Sequence, residues 1–132
     1  MEETLKMLQD FHGHLGPYAV IGYRMGKIAC RELNNDPFSK NVIVLTGTNP
    51  PISCIIDGVQ LGSGCTFGKG NIKIQNKKQP IAIFKDKNGK QIRITLKKEI
   101  KDEIDLKVTE KNMIDYSEKI FEKSEEELFE LK

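Results

Sequence analysis

An α+β domain is the fold class that the order of hydrophobic patterns predicts. Helical spacing of apolar residues opens the chain, β-branched runs bounded by glycine, proline and asparagine follow, and one short helical stretch separates the first run from the others. The length of 132 residues suits a single domain over residues 1–132, large enough to bury roughly two-thirds of its unfolded surface without a disulfide or metal. With 38% apolar residues, 30% charged residues and no Trp, the composition is that of a globular protein with an aliphatic core.

Glu3 to Phe11 reads as a short amphipathic helix with Leu5, Leu8 and Phe11 on one face, ending near Gly13. A longer helix opens at Pro17, whose missing N–H costs nothing in a first turn, and runs to about Leu33. Ala19, Gly22, Gly26 and Ala29 recur along it at spacings of three or four, which predicts close approach to another backbone. Such an approach offsets two internal glycines that each cost about 1 kcal/mol relative to Ala. Asn34-Asn35-Asp36-Pro37 stops the helix, and Val42 to Thr46 reads as a buried strand. After the loop Gly47-Thr48-Asn49-Pro50-Pro51, Ser53 is expected to cap a helix from Cys54 to about Leu61, closed by Gly62-Ser63-Gly64. Strands are expected at Asn71–Gln75, Ile81–Lys85 and Gln91–Leu96, the last two joined by Asp86-Lys87-Asn88-Gly89 with its turn-forming Asn-Gly pair. Leaving the first short helix aside, the order is α-β-α-β-β-β, and residues 112–132 are expected to form a further helix.

The 21 basic and 19 acidic side chains are interleaved after residue 77 and leave a net charge of +2. That pattern describes a solvated surface, and the reading is against nucleic acid. Apolar runs such as Val42-Ile43-Val44-Leu45 fall far short of the ~20 residues that span a bilayer. Met1-Glu2-Glu3-Thr4 does not resemble the basic, apolar start of a signal peptide, so no membrane partner and a cytoplasmic location are expected. Three cysteines without a CxxC pair fit reduced thiols.

Reactive residue types concentrate in two glycine-rich stretches, Phe11 to Pro17 and Gly62 to Asn71. The first holds both histidines. His12 and His14 aim at a common point if the segment is extended and diverge if it is helical. Cys54 and Asp57, three apart, share a helix face. Imidazole and thiolate suit Zn(II), Fe(II), Co(II) or Ni(II), Zn first among them, so His12, His14, Cys54, Asp57 and Cys65 make a candidate metal site. The alternative is that the histidines cap helix ends and the cysteines pack in the core, the reading preferred for Cys30. The second stretch offers Thr66, Gly68, Lys69 and Asn71 to an anionic cofactor through backbone N–H groups and an ammonium. Its GxxxGK spacing is not that of a P-loop, so nucleoside triphosphates are not implied. A loop that merely needs unusual backbone angles ranks equally with the anion reading.

Taken together, FHGHLGPYAVIGYRMG, SCIIDGVQLGSGCTFGKGNI and FKDKNGKQIRI resemble the N-terminal core domain of the formylmethanofuran dehydrogenase E-subunit family, from about Leu8 to Leu96. Members commonly show HGHxCPG, a Cys-x-x-Asp pair and GCTxGKGN, matched here by His12-Gly13-His14, Cys54 with Asp57, and Gly64-Cys65-Thr66 with Gly68 to Asn71. The resemblance implies an α-β-α-β(3) core with a mixed sheet, a metal or ligand site at these loops, and homodimerisation. Two departures stand out: Gly16 occupies the position of a family Cys, and no Cys-rich zinc-finger segment follows Leu96.

Three functions compete. The resemblance favours an accessory metal- or cofactor-binding protein, cytoplasmic and archaeal, tied to methanogenic one-carbon or molybdoenzyme metabolism with a molybdenum or tungsten enzyme as partner. A small enzyme would use Cys54 or Cys65 as nucleophile and His12 or His14 as base. A structural protein of a larger assembly would use the loops as contacts. His14 and Cys65 are expected to converge, within one chain if both helices pack on one face of the sheet, with Asp57 orienting an imidazole by accepting its second N–H, or across the two-fold axis of a homodimer, which the small-residue face of the Tyr18 to Leu33 helix would permit.

Overall fold

The computed structural model describes all of residues 1–132. Its elements are α1 (Glu3–His12), α2 (Pro17–Glu32), β1 (Lys40–Val44), α3 (Cys54–Ser63), β2 (Ile72–Ile74), β3 (Ile81–Asp86), β4 (Gln91–Leu96), α4 (Lys98–Lys107), α5 (Met113–Glu122), α6 (Glu125–Leu128) and β5 (Phe129–Leu131). The predicted α+β class and α-β-α-β-β-β core are present.

The five strands form one mixed sheet in the order β2-β1-β3-β4-β5. Strands β1 and β2 are parallel, joined by the α3 crossover, and every other pair is antiparallel. Register places Val42, Phe84 and Ile92 in one cross-strand row and Val44, Ala82 and Ile94 in the next. All six are buried, whereas Ile43, Ile83 and Arg93 in the row between are only half-buried, and Asn41 and Lys85, paired one row outside, are exposed. The sheet therefore buries one face, against α2 and α3, as period-two alternation requires.

Helices α2 and α3 touch backbone to backbone. A Cβ on Gly22 would stand 2.0 Å from the Ile55 carbonyl oxygen, and one on Gly26 2.5 Å from the Ser63 nitrogen. From the α3 side, a Cβ on Gly58 would meet the Ala19 carbonyl oxygen at 2.0 Å. The small-residue stripe foreseen on α2 has its counterpart in Gly58 and Gly62. Because later residues of α2 meet later residues of α3, the two helices run parallel. Their N-terminal ends lie together, and so do their C-terminal ends.

Two local expectations, the Ser53 cap and the single C-terminal helix, need correction; the expected β3–β4 turn is present, and one helix went unread. Ser53 accepts no capping hydrogen bond. The turn before α3 already supplies carbonyls, with Cys54, Ile55 and Ile56 donating to Pro51, Ile52 and Ser53. At the β3–β4 turn only Gly89 takes positive φ, and the Asp86 carboxylate closes the loop by accepting from the Asn88 and Lys90 amides. Residues 112–132 are not one helix: Lys123 is extended, Ser124 with Glu127 forms a capping box that starts α6, and Phe129–Leu131 pairs with β4 as an edge strand. Helix α4 went unread because its pattern is dominated by charge; only Ile104 of its ten residues is buried.

Candidate functional site

His12 is the last residue of α1, and Gly13 behind it adopts φ +104°. A left-handed residue at that place ends a helix and reverses the chain. The turn brings the His14 ring back to 4.9 Å from the His12 ring, centroid to centroid. The two imidazoles thus meet through a helix end and a glycine, not through an extended HxH segment.

Asp57, in the first turn of α3, fixes His12. Its Oδ2 accepts from Nδ1 at 2.6 Å, and the imidazole is only 10% exposed. Such a bond sets the tautomer and leaves Nε2 as the free ring nitrogen. That Nε2 is buried without a hydrogen-bond partner. A buried polar atom is ordinarily satisfied, so this orphan beside the cavity marks a place for a water, an ion or a ligand atom. The expectation that Asp57 orients an imidazole is thereby met, with His12 as the imidazole.

A cavity of about 640 Å³ opens beside this pair. His12, His14 and Gly16 supply one side, with Cys54 and Asn49 to Ile52 from the start of α3 and its approach. Thr46, Asn76 and Lys78 come from the sheet edge and the β2–β3 loop; Lys101, Ile104, Asp105, Val108 and Met113 come from α4 and the start of α5. Tyr18, buried in the floor, donates to Asp105, whose other carboxylate oxygen pairs with Lys101 at 2.6 Å. Burial and that acceptor both hold the Tyr18 phenol far above its ordinary range. A smaller cavity of about 240 Å³ lies on the Asp57 side, sharing His12, Pro50 and Cys54 with the first. His12 and Cys54 therefore stand in a partition between two openings.

Cys54 is half-buried, and its thiol is pushed up by burial and then by the Asp57 carboxylate, which keeps it protonated. Cys65 lies elsewhere. The ten residues of α3 separate it from Cys54, about 15 Å at 1.5 Å per residue. Its fully buried thiol belongs to the hydrophobic core, donating to the Lys40 carbonyl, and burial raises its pKa. It lines neither cavity, so the expected meeting of the two glycine-rich stretches is not seen at these cavities.

The Thr66–Asn71 loop is also at that far end, and its groups bond within the protein. Asn71 accepts from the Thr66 amide and donates to Pro37, Lys69 donates to Thr66 from amide and ammonium, and Gly70 donates to Phe67. The Lys69 ammonium lies 5.4 Å from the Phe38 ring centre. Gly70 takes φ +70°, a conformation that glycine permits. Cys30 sits at this end too, its thiol directed at the Gly62 carbonyl.

His12, with a carboxylate on one nitrogen and a bare second nitrogen, suits the transition metal that the resemblance implies; His14 and Cys54 add donors of the right type to the same cavity wall. Asp57 fits as the orienting partner. No three His, Cys, Asp or Glu side chains are grouped so as to hold a metal ion. Sequence reading missed Tyr18, Lys78, Lys101 and Asp105. The one visible signal was Lys101 and Asp105 at helical i,i+4 spacing, hidden among many charges.

Fold and cavity define a small α+β domain with a ligand-sized pocket at the N-terminal ends of a helix pair, and comparison with known proteins gives the family. The model of the FmdE family, described as molybdenum formylmethanofuran dehydrogenase operon, matches residues 11–130, and the chain belongs to that family. An FmdE-like protein of Syntrophus aciditrophicus, named for tungsten formylmethanofuran dehydrogenase, shares the fold, with a TM-score of 0.72 and 24% identity over 98% of this chain and 69% of that one. A probable S-adenosyl-L-methionine-binding protein of Archaeoglobus fulgidus is 29% identical over 100 residues, 71% of this chain. This chain spans about a quarter of that relative's length, 26%. No helix is long and apolar enough to cross a membrane.

Proposed function

We propose that this chain is an accessory binding protein of the FmdE family, which takes a small organic ligand, alone or together with a divalent transition metal, in the cavity beside His12. The orphaned, carboxylate-oriented Nε2 of His12 carries the reading. The volume supports an organic ligand: about 640 Å³ lies within the ~300–1,000 Å³ of small-molecule sites and far exceeds what an ion needs. The name of the Archaeoglobus relative supports a ligand of cofactor size. Zn, or Fe, Co or Ni, would rest on His12, with His14 and Cys54 as donors only if their side chains draw together, because no three such groups stand at metal-holding spacing; it would supply a Lewis acid with positions left for the ligand. Homodimerisation and service to a cytoplasmic molybdenum or tungsten enzyme in archaeal methanogenic metabolism belong to the same proposal.

The enzyme alternative with a cysteine nucleophile draws less support, because the nucleophilic form is the thiolate and the surroundings of Cys54 favour the thiol. Elemental analysis of anaerobically purified protein, followed by Co(II) titration of the metal-stripped chain read by absorbance, tests the metal arm. Wild type is expected to bind and His12→Ala to lose most of that affinity. Equal Co(II) binding by both would remove His12 from the metal site.

A further inference from the structure

We infer that the cavity selects a ligand with a mostly apolar body and one acidic group, a carboxylate or a phosphate, received by Lys78 on a wall that Lys101 also lines; the inference rests on the cavity being a ligand site. The charges on the wall come first. Besides the histidines, the lining side chains of charged type are two lysines, Lys78 and Lys101, and one aspartate, Asp105. Asp105 is already occupied, accepting from the Tyr18 hydroxyl and from Lys101. Asp57, paired with His12, lines only the smaller cavity. The large cavity therefore keeps a surplus of one positive charge, and Lys78, which makes no ion pair, is its bearer.

The backbone of Lys78 gives a second reason to single it out. It is the one non-glycine residue with positive φ, +55°. L-residues seldom adopt that conformation, and where they do the position is often an active site, a ligand clamp or a switch. Neighbouring groups suit the remainder of the molecule. Pro17, Ile52, Ile104, Val108 and Met113 offer apolar surface, and Thr46, Asn49 and Asn76 offer neutral hydrogen bonds. An ammonium without a carboxylate partner, set at the edge of an apolar cavity, discriminates for an anion and against a cation of the same shape.

Two fluorescent probes of nearly identical body test this: 1-anilinonaphthalene-8-sulfonate, which is anionic, and N-phenyl-1-naphthylamine, which is neutral. Both are expected to bind wild type, the anionic probe about tenfold more tightly. Lys78→Gln should remove that preference and leave the neutral probe unchanged, Lys78→Arg should retain it, and Lys101→Gln should weaken it less. Met113→Trp, which fills the cavity, should exclude both probes and so places them there. Hexanoate and hexyl phosphate compete against the anionic probe, and the stronger competitor tells carboxylate from phosphate. Binding of neither probe would overturn the ligand-site reading itself. Equal affinities, indifferent to Lys78→Gln, would leave the cavity a ligand site and overturn the acidic-ligand inference, as would failure of both competitors.

Discussion

The parallel helix pair has two ends of similar make-up and opposite character. At the N-terminal end, Cys54 and His12 stand in the wall of an open cavity, and a ring nitrogen is left without a partner. At the C-terminal end, Cys65, Lys40 and the Thr66–Asn71 loop are just as rich in reactive types, yet Cys65 and Lys40 are almost wholly buried and the loop's polar groups bond to one another. Residue chemistry does not separate the two ends. What separates them is whether the fold has already used the hydrogen-bonding capacity of each group.

The largest effect is expected where the ends are joined. Gly58→Ala would force a Cβ to 2.0 Å from the Ala19 carbonyl oxygen, and overpacking against backbone of this kind costs about 3 kcal/mol or more. Urea denaturation should show a midpoint far below wild type; an unchanged midpoint would mean that the helices slide apart freely and that the two ends are not rigidly linked. Next in size is the contrast in binding. Asp57→Asn is expected to weaken Co(II) or ligand affinity by about 10–100-fold, as loss of an orienting carboxylate does elsewhere, whereas Cys65→Ala should leave affinity untouched while lowering stability by about 1 kcal/mol. Loss of binding on Cys65→Ala, measured by the same titration on folded protein, would erase the distinction.

A smaller effect follows from the buried thiol. Burial raises the folded-state pKa of Cys65 above that of the unfolded thiol, ordinarily about 8.5. The associated stability is fully present below the unfolded value and is lost as pH rises from there through the folded one, at no more than about 1.4 kcal/mol per pH unit. Denaturation between pH 8 and 10 should therefore show an alkaline decline that Cys65→Ala flattens. Cys54→Ala, at a half-exposed position, should flatten it less. Smallest of all is a difference in access: iodoacetamide at neutral pH is expected to label Cys54 slowly and Cys65 only after unfolding, read by mass of the cysteine peptides. Equal labelling would contradict the contrast in burial.

Much of the core was legible because its signals are local. Pro17 at a first turn, β-branched strands, Gly89 in a hairpin and the glycine stripe of α2 each dictate their own surroundings. The His12–Asp57 contact was half legible: an imidazole needs an orienting partner, but which imidazole depended on the left-handed Gly13. The role of Cys65 was not legible, since a small apolar thiol beside glycines reads alike as a ligand and as core, and only the length of α3 places it at the far end. Helix α4 was hidden for a related reason. It packs through Ile104 and through the Tyr18–Asp105 and Tyr116–Glu103 bonds, contacts between distant side chains that leave no periodicity in the sequence.

The parallel course of α2 and α3 also polarises the molecule. Each helix carries a macrodipole worth roughly half a unit charge at each end, positive at the amino terminus. Pro17 and Cys54 begin the two helices at the cavity, so both positive ends face it, and both carbonyl ends face the Cys65 side. Helices α1 and α4 bring carbonyl ends to the cavity, at His12 and Val108, while α5 begins there at Met113. The α2–α3 pair thus gives the cavity a positive contribution that comes from the backbone, that α1 and α4 offset in part, and that no single side-chain substitution would abolish.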